Sequence, residues 1–244
     1  MKPVTKVIRG EELYVGKANT IYATNNPYLL EMESTNRISA GNGERRDVIE
    51  GKGLVNNVIS TMLFKLFAKN GVPTHYVYDG SNQYSKVIRK ANMIKLEVIG
   101  RFIAAGSFCK RHPEIKAGTV FDEMLFELTY KDDALGDPFI SAEEAINKYK
   151  VATEEQLEDI EDYTFNIGIC AQDFFKEFGL TLVDFKVEFG LDAETGELIL
   201  CDEFSPDTCR LWDKDGNSYD KDVFRKNIGN VSDTYQKLLD LVQN

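Results

Sequence analysis

Residues 182–212 constrain the fold more than any other stretch: LVDFKVEFG, then a turn-rich LDAETGE, then LILCDEFSPDTCRLW. Side chains on a strand alternate between its faces, so Val183, Phe185, Val187 and Phe189 share one face while Asp184, Lys186 and Glu188 share the other. That pattern is a strand with one buried side and one side of convergent charge. Asp192, Thr195 and Gly196 form a turn cluster, and the next strand carries Asp202 and Glu203, so the spacing predicts a β-hairpin. With the register centred on Thr195, Glu188 is expected opposite Asp202, their β-carbons roughly 4.5–5.5 Å apart. Two readings follow. One is a solvated face on which Asp184, Lys186 and Glu188 form a salt ladder. The other is a hard divalent cation such as Mg2+ between the two carboxylates, its other positions left to water and phosphate oxygens.

Composition narrows the partners. A chain of 244 residues with 43% hydrophobic content is long enough for one large domain or two small lobes sharing a cleft. Its 29 basic and 40 acidic residues give a net charge of −11, which argues against a nucleic-acid footprint or an anionic membrane partner. Any anionic ligand therefore has to be gripped by local cations. No apolar run approaches the roughly 18 residues of a membrane span, and MKPVTKVIRGEELYVG lacks the apolar core of a signal peptide, so a cytoplasmic location is expected. Cys109, Cys170, Cys201 and Cys209 show no CxxC spacing, which argues against a zinc site or a disulfide framework. With only His75 and His112, histidine-based triads and multi-histidine metal sites are not expected.

Along the chain, ELYVGKANTIYAT reads as two short strands around Gly16 and Lys17, and residues 28–32 continue the meander. No Walker A loop is present, but a glycine-containing hairpin with a lysine can lie over nucleotide phosphates. Residues 38–53 read as a long loop in which Arg45, Arg46 and Lys52 are either a solvated charge run or phosphate contacts. Leu54, Val55, Val58, Ile59, Met62, Leu63, Leu66 and Phe67 recur at helical spacing before Asn70-Gly71, which predicts a helix packed on the first sheet. HYVYD, YSKVIRK and MIKLEVIG are expected to complete a β-rich first lobe, with a hinge at Ala91-Asn92. In RFIAAGSFCKRHPE, small residues between Arg101 and Lys110-Arg111 suit either a phosphate site or a tightly packed helix start. Capping boxes at Ser141/Glu144 and Thr153/Gln156 open two helices. The second carries a stripe of Leu157, Ile160, Thr164, Ile167, Ala171, Phe174, Phe175 and Phe178, expected to buttress the hairpin. A last amphipathic helix presents Tyr235, Leu238, Leu239 and Val242.

GKANTIY, SAGNGERR with EGKGLVNN, RFIAAGSFCKR, KDDALGDP, LVDFKVEFG and DEFSPDTCRLWDK, in this order, resemble the SAICAR synthetase family over nearly the whole chain. The resemblance implies an ATP-dependent amide ligase that joins the carboxylate of 5-aminoimidazole-4-carboxylate ribotide to the amine of L-aspartate, releasing ADP and phosphate. It also implies an α+β fold of two lobes, distantly like kinases and ATP-grasp enzymes. An N-terminal antiparallel β-sheet lobe (1–92) and a C-terminal α/β lobe (93–244) would hold ATP in the cleft between them. The cofactors implied are ATP and Mg2+, and the bacterial relatives suggest a homodimer.

Carried over by position, Lys17 reaches the ATP phosphates, Glu188 and Asp202 hold the metal, and Lys186 lies near the transferred phosphate. Gly16, Ala18, Lys90 and Met93 fall with the nucleotide. Arg101, Ser107 and Arg210 fall with the ribotide and its phosphate, and Lys131, Asp133, Asp137 and Lys214 on the substrate side. The base that deprotonates the aspartate amine is not assigned by the sequence: Asp184, Asp207 and Asp137 are candidates, as is a water or a phosphate oxygen. Two positions depart from the family pattern: Asn19, where a second lysine is usual, and Phe102, where Asn or Gly is usual.

Overall fold

The computed structural model describes residues 6–41 and 43–243. The stretch 1–5, part of the segment searched for a leader, and Asn42 of the SAGNGERR motif lie outside the described residues.

The chain opens with a five-stranded antiparallel sheet built from β1 (Arg9–Val15), β2 (Asn19–Thr24), β3 (Leu29–Ser34), β6 (Tyr76–Asp79) and β7 (Ser85–Arg89), in the order β1-β2-β3-β7-β6. The stretch expected as a loop at 38–53 differs. It folds back as a separate hairpin of β4 (Arg37–Ala40) and β5 (Arg45–Val48), and the helix after it, α1 (Lys52–Lys69), starts inside the expected loop. All four β5 residues are exposed, so no apolar alternation marks that strand. α1 packs under β3, β6 and β7 and ends as predicted, with Gly71 in a left-handed conformation (φ 85°) and Val72 N–H bonded to the Phe67 carbonyl.

The second sheet is organised by β12 (Thr181–Asp192), which uses both edges along its length. On one edge it pairs first with β14 (Cys209–Trp212) and then with β13 (Leu198–Cys201). On the other it pairs first with β9 (Leu96–Ile103) and then with β8 (Ala91–Met93). The sheet continues through β10 (Val120–Tyr130) to β11 (Phe139–Ile140). MIKLEVIG therefore belongs to this second sheet and not to the first, because β9 finds its partners in β10 and β12.

Phe185, Val187 and Phe189 are almost fully buried in the main core, as their alternation requires, and α3 (Glu154–Glu177) packs along the strand. A register shift between Leu182 and Asp184 instead puts the buried Val183 in a separate small cluster with Ile103 and Ala105. The Thr153/Gln156 capping box forms in both directions. The Ser141/Glu144 box forms likewise but opens a π-helical turn at Glu144–Lys148. Gly100 faces Phe185 across the β9–β12 ladder, and a β-carbon there would lie 2.5 Å from the Phe185 ring, so only glycine lets the ring cross the strand. Two five-residue helices, α2 (Ser107–Arg111) and α4 (Asp222–Lys226), and the closing α5 (Val231–Gln243) complete the chain.

Candidate active site

The polar face of β12 is not a solvated ladder. It forms the floor of a cavity of about 470 Å3 that is roofed by the β1–β2 turn (Gly16, Lys17, Ala18) and walled by Arg101, Lys131, Asp137, Asp202 and Arg210.

At the N-terminal end of the floor, Asp184 pairs in register with Arg101 on β9 and with Arg210 on β14. Its Oδ2 accepts from both guanidinium groups, at 2.7 Å from Arg101 Nη1 and 2.6 Å from Arg210 Nη1. Arg101 is nearly fully buried and also donates to Glu127 and to Ser107 Oγ (3.3 Å). Arg210 reaches Asp222 as well, at 3.1 Å. Burial opposes the Arg210 charge, but Asp184 and Asp222 outweigh it and raise its pKa. Gly106, at φ 57°, leaves room for this: its added β-carbon would lie 2.4 Å from Arg210 Nη2.

In the middle, the Lys186 ammonium sits among three carboxylates, 2.6 Å from Glu188 Oε1, 3.2 Å from Asp202 Oδ2 and 3.5 Å from Glu97 Oε1. Lys131 pairs with the other Glu188 oxygen. Burial pushes the Glu188 carboxyl up, but Lys186 and Lys131 overcome it and hold the group at about 2. Asp202 goes the other way: burial and then the Glu188 charge push it up to about 6, against the pull of Lys186.

The hairpin register is one residue from the expected one. Glu188 faces Cys201, not Asp202. Strict alternation after Cys201 would send the next side chain to the opposite face. Asp202 instead takes a left-handed conformation (φ 57°) just past the strand end, which turns its carboxylate back to Lys186. Asp tolerates that conformation better than most residues, at roughly 1 kcal/mol or more. The carboxylates converge by a backbone kink where a ladder pair was expected.

Lys17 is over half exposed and pairs with Asp133 at 2.8 Å, across the mouth of the cavity. Asn19 is buried in a network, donating to Glu203 (3.1 Å) and accepting from Ser34 Oγ (3.0 Å). Phe102 points away from Arg101 into the core, 6.5 Å from the Phe185 ring, so this departure does not touch the cavity. Of the phosphate candidates in the expected loop, Arg45 donates to the Phe224 carbonyl and Arg46 to the Gly43 carbonyl, while Lys52 is fully buried and pairs with Asp207 at 2.7 Å. Lys90, Met93 and Lys214 lie outside the cavity lining. Glu97 and Lys221, which the sequence reading passed over, line it. Lys221 has no ion-pair partner among the described residues, whereas Lys17, Lys131, Lys186, Arg101, Arg210 and Arg225 are all paired. Its only sequence signal was an isolated Asp-Lys-Asp, which reads as a solvated turn.

A family profile described as SAICAR synthetase matches residues 12–242. The chain belongs to the SAICAR synthetase family. It is 44% identical over 236 residues to the phosphoribosylaminoimidazole-succinocarboxamide synthase of Akkermansia muciniphila, covering 96% of this chain and 99% of that one. The Finegoldia magna enzyme is 42% identical, with 94% and 97% covered. Among solved structures, the Ehrlichia chaffeensis enzyme superposes with a TM-score of 0.90 at 38% identity, covering 96% of this chain and 98% of that one. A SAICAR synthetase in complex with ADP superposes at 0.89 with 35% identity, covering 95% and 97%. As a SAICAR synthetase, the chain is an ADP-forming carbon–nitrogen ligase that condenses the carboxyaminoimidazole ribotide with L-aspartate using ATP. Among the described residues no helix is long and apolar enough to cross a membrane.

Proposed function

We propose that this cavity performs the ligation through an acyl phosphate, with the polar face of β12 handling the phosphoryl group. The observation that carries the assignment is the single row Asp184, Lys186, Glu188, in which a carboxylate shared by two arginines, an ammonium among carboxylates and a carboxylate held by two lysines follow one another along one strand face of the cavity. A carboxylate is a poor acyl donor. Its oxygen attacks the γ-phosphorus of ATP, the bond to the β,γ-bridging oxygen breaks, and ADP leaves. The aspartate amine then attacks the acyl carbon, and inorganic phosphate departs with the former carboxylate oxygen. Lys186 from the floor and Lys17 from the roof stabilise charge on the transferred phosphoryl group, Lys17 leaving Asp133 to do so.

The donor set suits Mg2+. Among the described residues no three His, Cys, Asp or Glu side chains are grouped to hold a metal by themselves, and Glu188 and Asp202 offer two hard carboxylates that repel one another. Mg2+ commonly takes one or two carboxylates and fills its shell with water and phosphate oxygens. Bound there, it supplies charge neutralisation for phosphoryl transfer.

Arg210, Ser107 and the unpaired Lys221 hold the anionic end of the ribotide, with Arg101 fixing Asp184 and Ser107 beneath it. Of the three candidate bases, Asp184 is shared by two arginines, and Asp207 is taken by Lys52 and by the Tyr235 hydroxyl at 2.6 Å. Asp137 makes no ion pair among the described residues, and burial raises its pKa against the pull of Lys17, which suits it to accept the proton of the aspartate ammonium. Lys90 and Met93, on and beside β8, are left for the adenine end. A cytoplasmic homodimer is the assembly the family resemblance suggests, and the molar mass in solution tests it.

The deciding experiment measures ADP release with Mg-ATP, the carboxylated ribotide and L-aspartate, omitting each in turn. Release that needs all three, with formation of the succinocarboxamide, is the expected result. Release without aspartate at the full rate would mean a kinase, and no release from folded protein would overturn the assignment.

A further inference from the structure

Glu203 lines the cavity and Lys86 lies outside its lining, and neither makes an ion pair among the described residues. Glu203 is 3% exposed and accepts from Asn19 Nδ2 (3.1 Å), Asn56 Nδ2 (3.4 Å) and Ser205 Oγ (2.6 Å), all neutral groups. Lys86, on β7 of the first sheet, is 0% exposed. Its Nζ makes no hydrogen bond or ion pair among the described residues and lies 5.8 Å from the centre of the Phe64 ring. An isolated buried charge is strongly unfavourable, so each group needs the other.

Helix α1 shows how they meet. Asn56, Ser60 and Phe64 stand one turn apart on one face. Glu203 is bonded at the Asn56 end and Lys86 lies over the Phe64 end. Between them Ser60 Oγ, with Asn56 Oδ1 and Thr61 Oγ1 nearby on the helix, is buried without a hydrogen-bond partner. These are the donors and acceptors that a bridging water would satisfy. Among the described residues Lys221, which also lines the cavity, feels the Glu203 charge without forming an ion pair, and Asp202 adds to the charge that supports Lys86. His75 packs on the same ring but is held neutral at about 3 by burial and by Lys86 and Arg89. Asp79 is exposed and bonded to Lys65 and Tyr76. Burial pulls the Lys86 ammonium down to about 8, and Glu203 is the leading charge that supports it.

We infer that Lys86 is a positioning residue whose ammonium, through the polar row on α1, is the counter-charge of Glu203 and thereby fixes the neighbouring Asp202 at the cavity. Asp202 is the residue with the strained left-handed backbone, and such strain persists only where the surroundings over-determine it. Glu203 provides that anchor one residue on, tied to β2 by Asn19, to α1 by Asn56 and to β7 by Lys86. The first sheet thus sets where the second sheet's cation carboxylate points.

The inference rests on Asp202 as a cation ligand, and the test separates the two. Lys86→Met keeps the side-chain length and removes the charge. Mg-ADP binding by calorimetry is expected to weaken about tenfold, the low end for loss of a group behind a metal ligand, with ADP binding in EDTA unchanged. Adding Asn19→Lys, which delivers an ammonium to Glu203 from β2, is expected to restore Mg-ADP affinity to within about threefold of the parent. Because Asn19 lines the cavity, the rescue is measured against Asn19→Lys alone, and a purely structural role would give the double variant no gain beyond that single change. In thermal unfolding, Lys86→Met and Glu203→Gln each lower the melting temperature, and the double variant recovers at least half of the combined loss. Strictly additive losses, or unchanged Mg-ADP binding in Lys86→Met, would overturn the role of Lys86. If Lys86→Met does not fold, the double variant must, and failure of both overturns the pairing. Unchanged Mg-ADP binding in Asp202→Asn would instead sink the assignment of the metal carboxylates.

Discussion

Lys186 Nζ lies 2.6 Å from Glu188 Oε1, the two side chains standing two residues apart on the same face of β12. The ammonium balances the charge of the carboxylate proposed above to hold Mg2+, so a divalent cation bound there would compete with it.

Lys186→Met is therefore expected to act in opposite directions on binding and turnover. Mg2+ affinity in the presence of ADP rises, because a competing positive charge is gone. The turnover number falls about 10^2 to 10^3-fold, as for loss of one preorganised charge at a transition state. Calorimetry and steady-state kinetics on one preparation read both.

Glu188→Gln removes the carboxylate on which Lys186 and Lys131 converge. Mg2+-dependent ADP release should drop to background while far-UV circular dichroism stays that of the parent. Full activity in that variant would remove Glu188 from the metal site.

Gly106→Ala tests the anion pocket through the backbone. The new methyl meets the Arg210 guanidinium at 2.4–2.9 Å, and φ 57° with ψ −126° lies outside the left-handed helical well, where a non-glycine residue is strained by roughly 1–3 kcal/mol. The KM for the ribotide is expected to rise about tenfold or more, as for loss of a charge-assisted hydrogen bond, while the KM for ATP holds.

Lys221→Met probes the same pocket from the opposite wall. Lys221 makes no ion pair among the described residues, and the buried Asp207 whose charge it helps to balance keeps Lys52 at 2.7 Å, so its loss should cost little in melting temperature. The ribotide KM should again rise, by roughly tenfold for one charged contact. An unchanged KM would leave the phosphate to Arg210 and Ser107 alone.

Asp222 carries a pH signature. It accepts from Arg210 at 3.1 Å, Arg225 at 2.8 Å and Lys226 at 2.9 Å. Burial pushes its carboxyl up, but Arg210 and the other cations outweigh that and hold it below the ordinary value of 3.8. A depressed carboxyl stabilises the fold above its unfolded pKa and loses that contribution as pH falls toward the folded one. Asp222→Asn should cost about 3 kcal/mol at pH 7, the low end for a broken buried pair because Arg225 and Lys226 are partly exposed. The gap between parent and variant in thermal melts should narrow below about pH 4.

Residue order alone determined much of this protein. The two-residue period of 182–189 gave the strand its buried and charged faces, helical periods with their caps gave α1 and α3, and that charged face carries Asp184, Lys186 and Glu188. These features are local, so a short window contains them. What only the tertiary structure decided is how separate windows meet. Alternation fixes the face of a side chain but not the register of its partner, so Glu188 came to face Cys201, and a left-handed Asp202, invisible to any period, restored the convergence. The pairing of β8 and β9 with β12 set Arg101 beside Asp184, and the exposed β5 strand had no pattern to reveal it. The resemblance put Lys131 on the substrate side, but its pairing with Glu188, like the place of Lys221 in the cavity wall, carries no sequence signal until the fold brings the windows together.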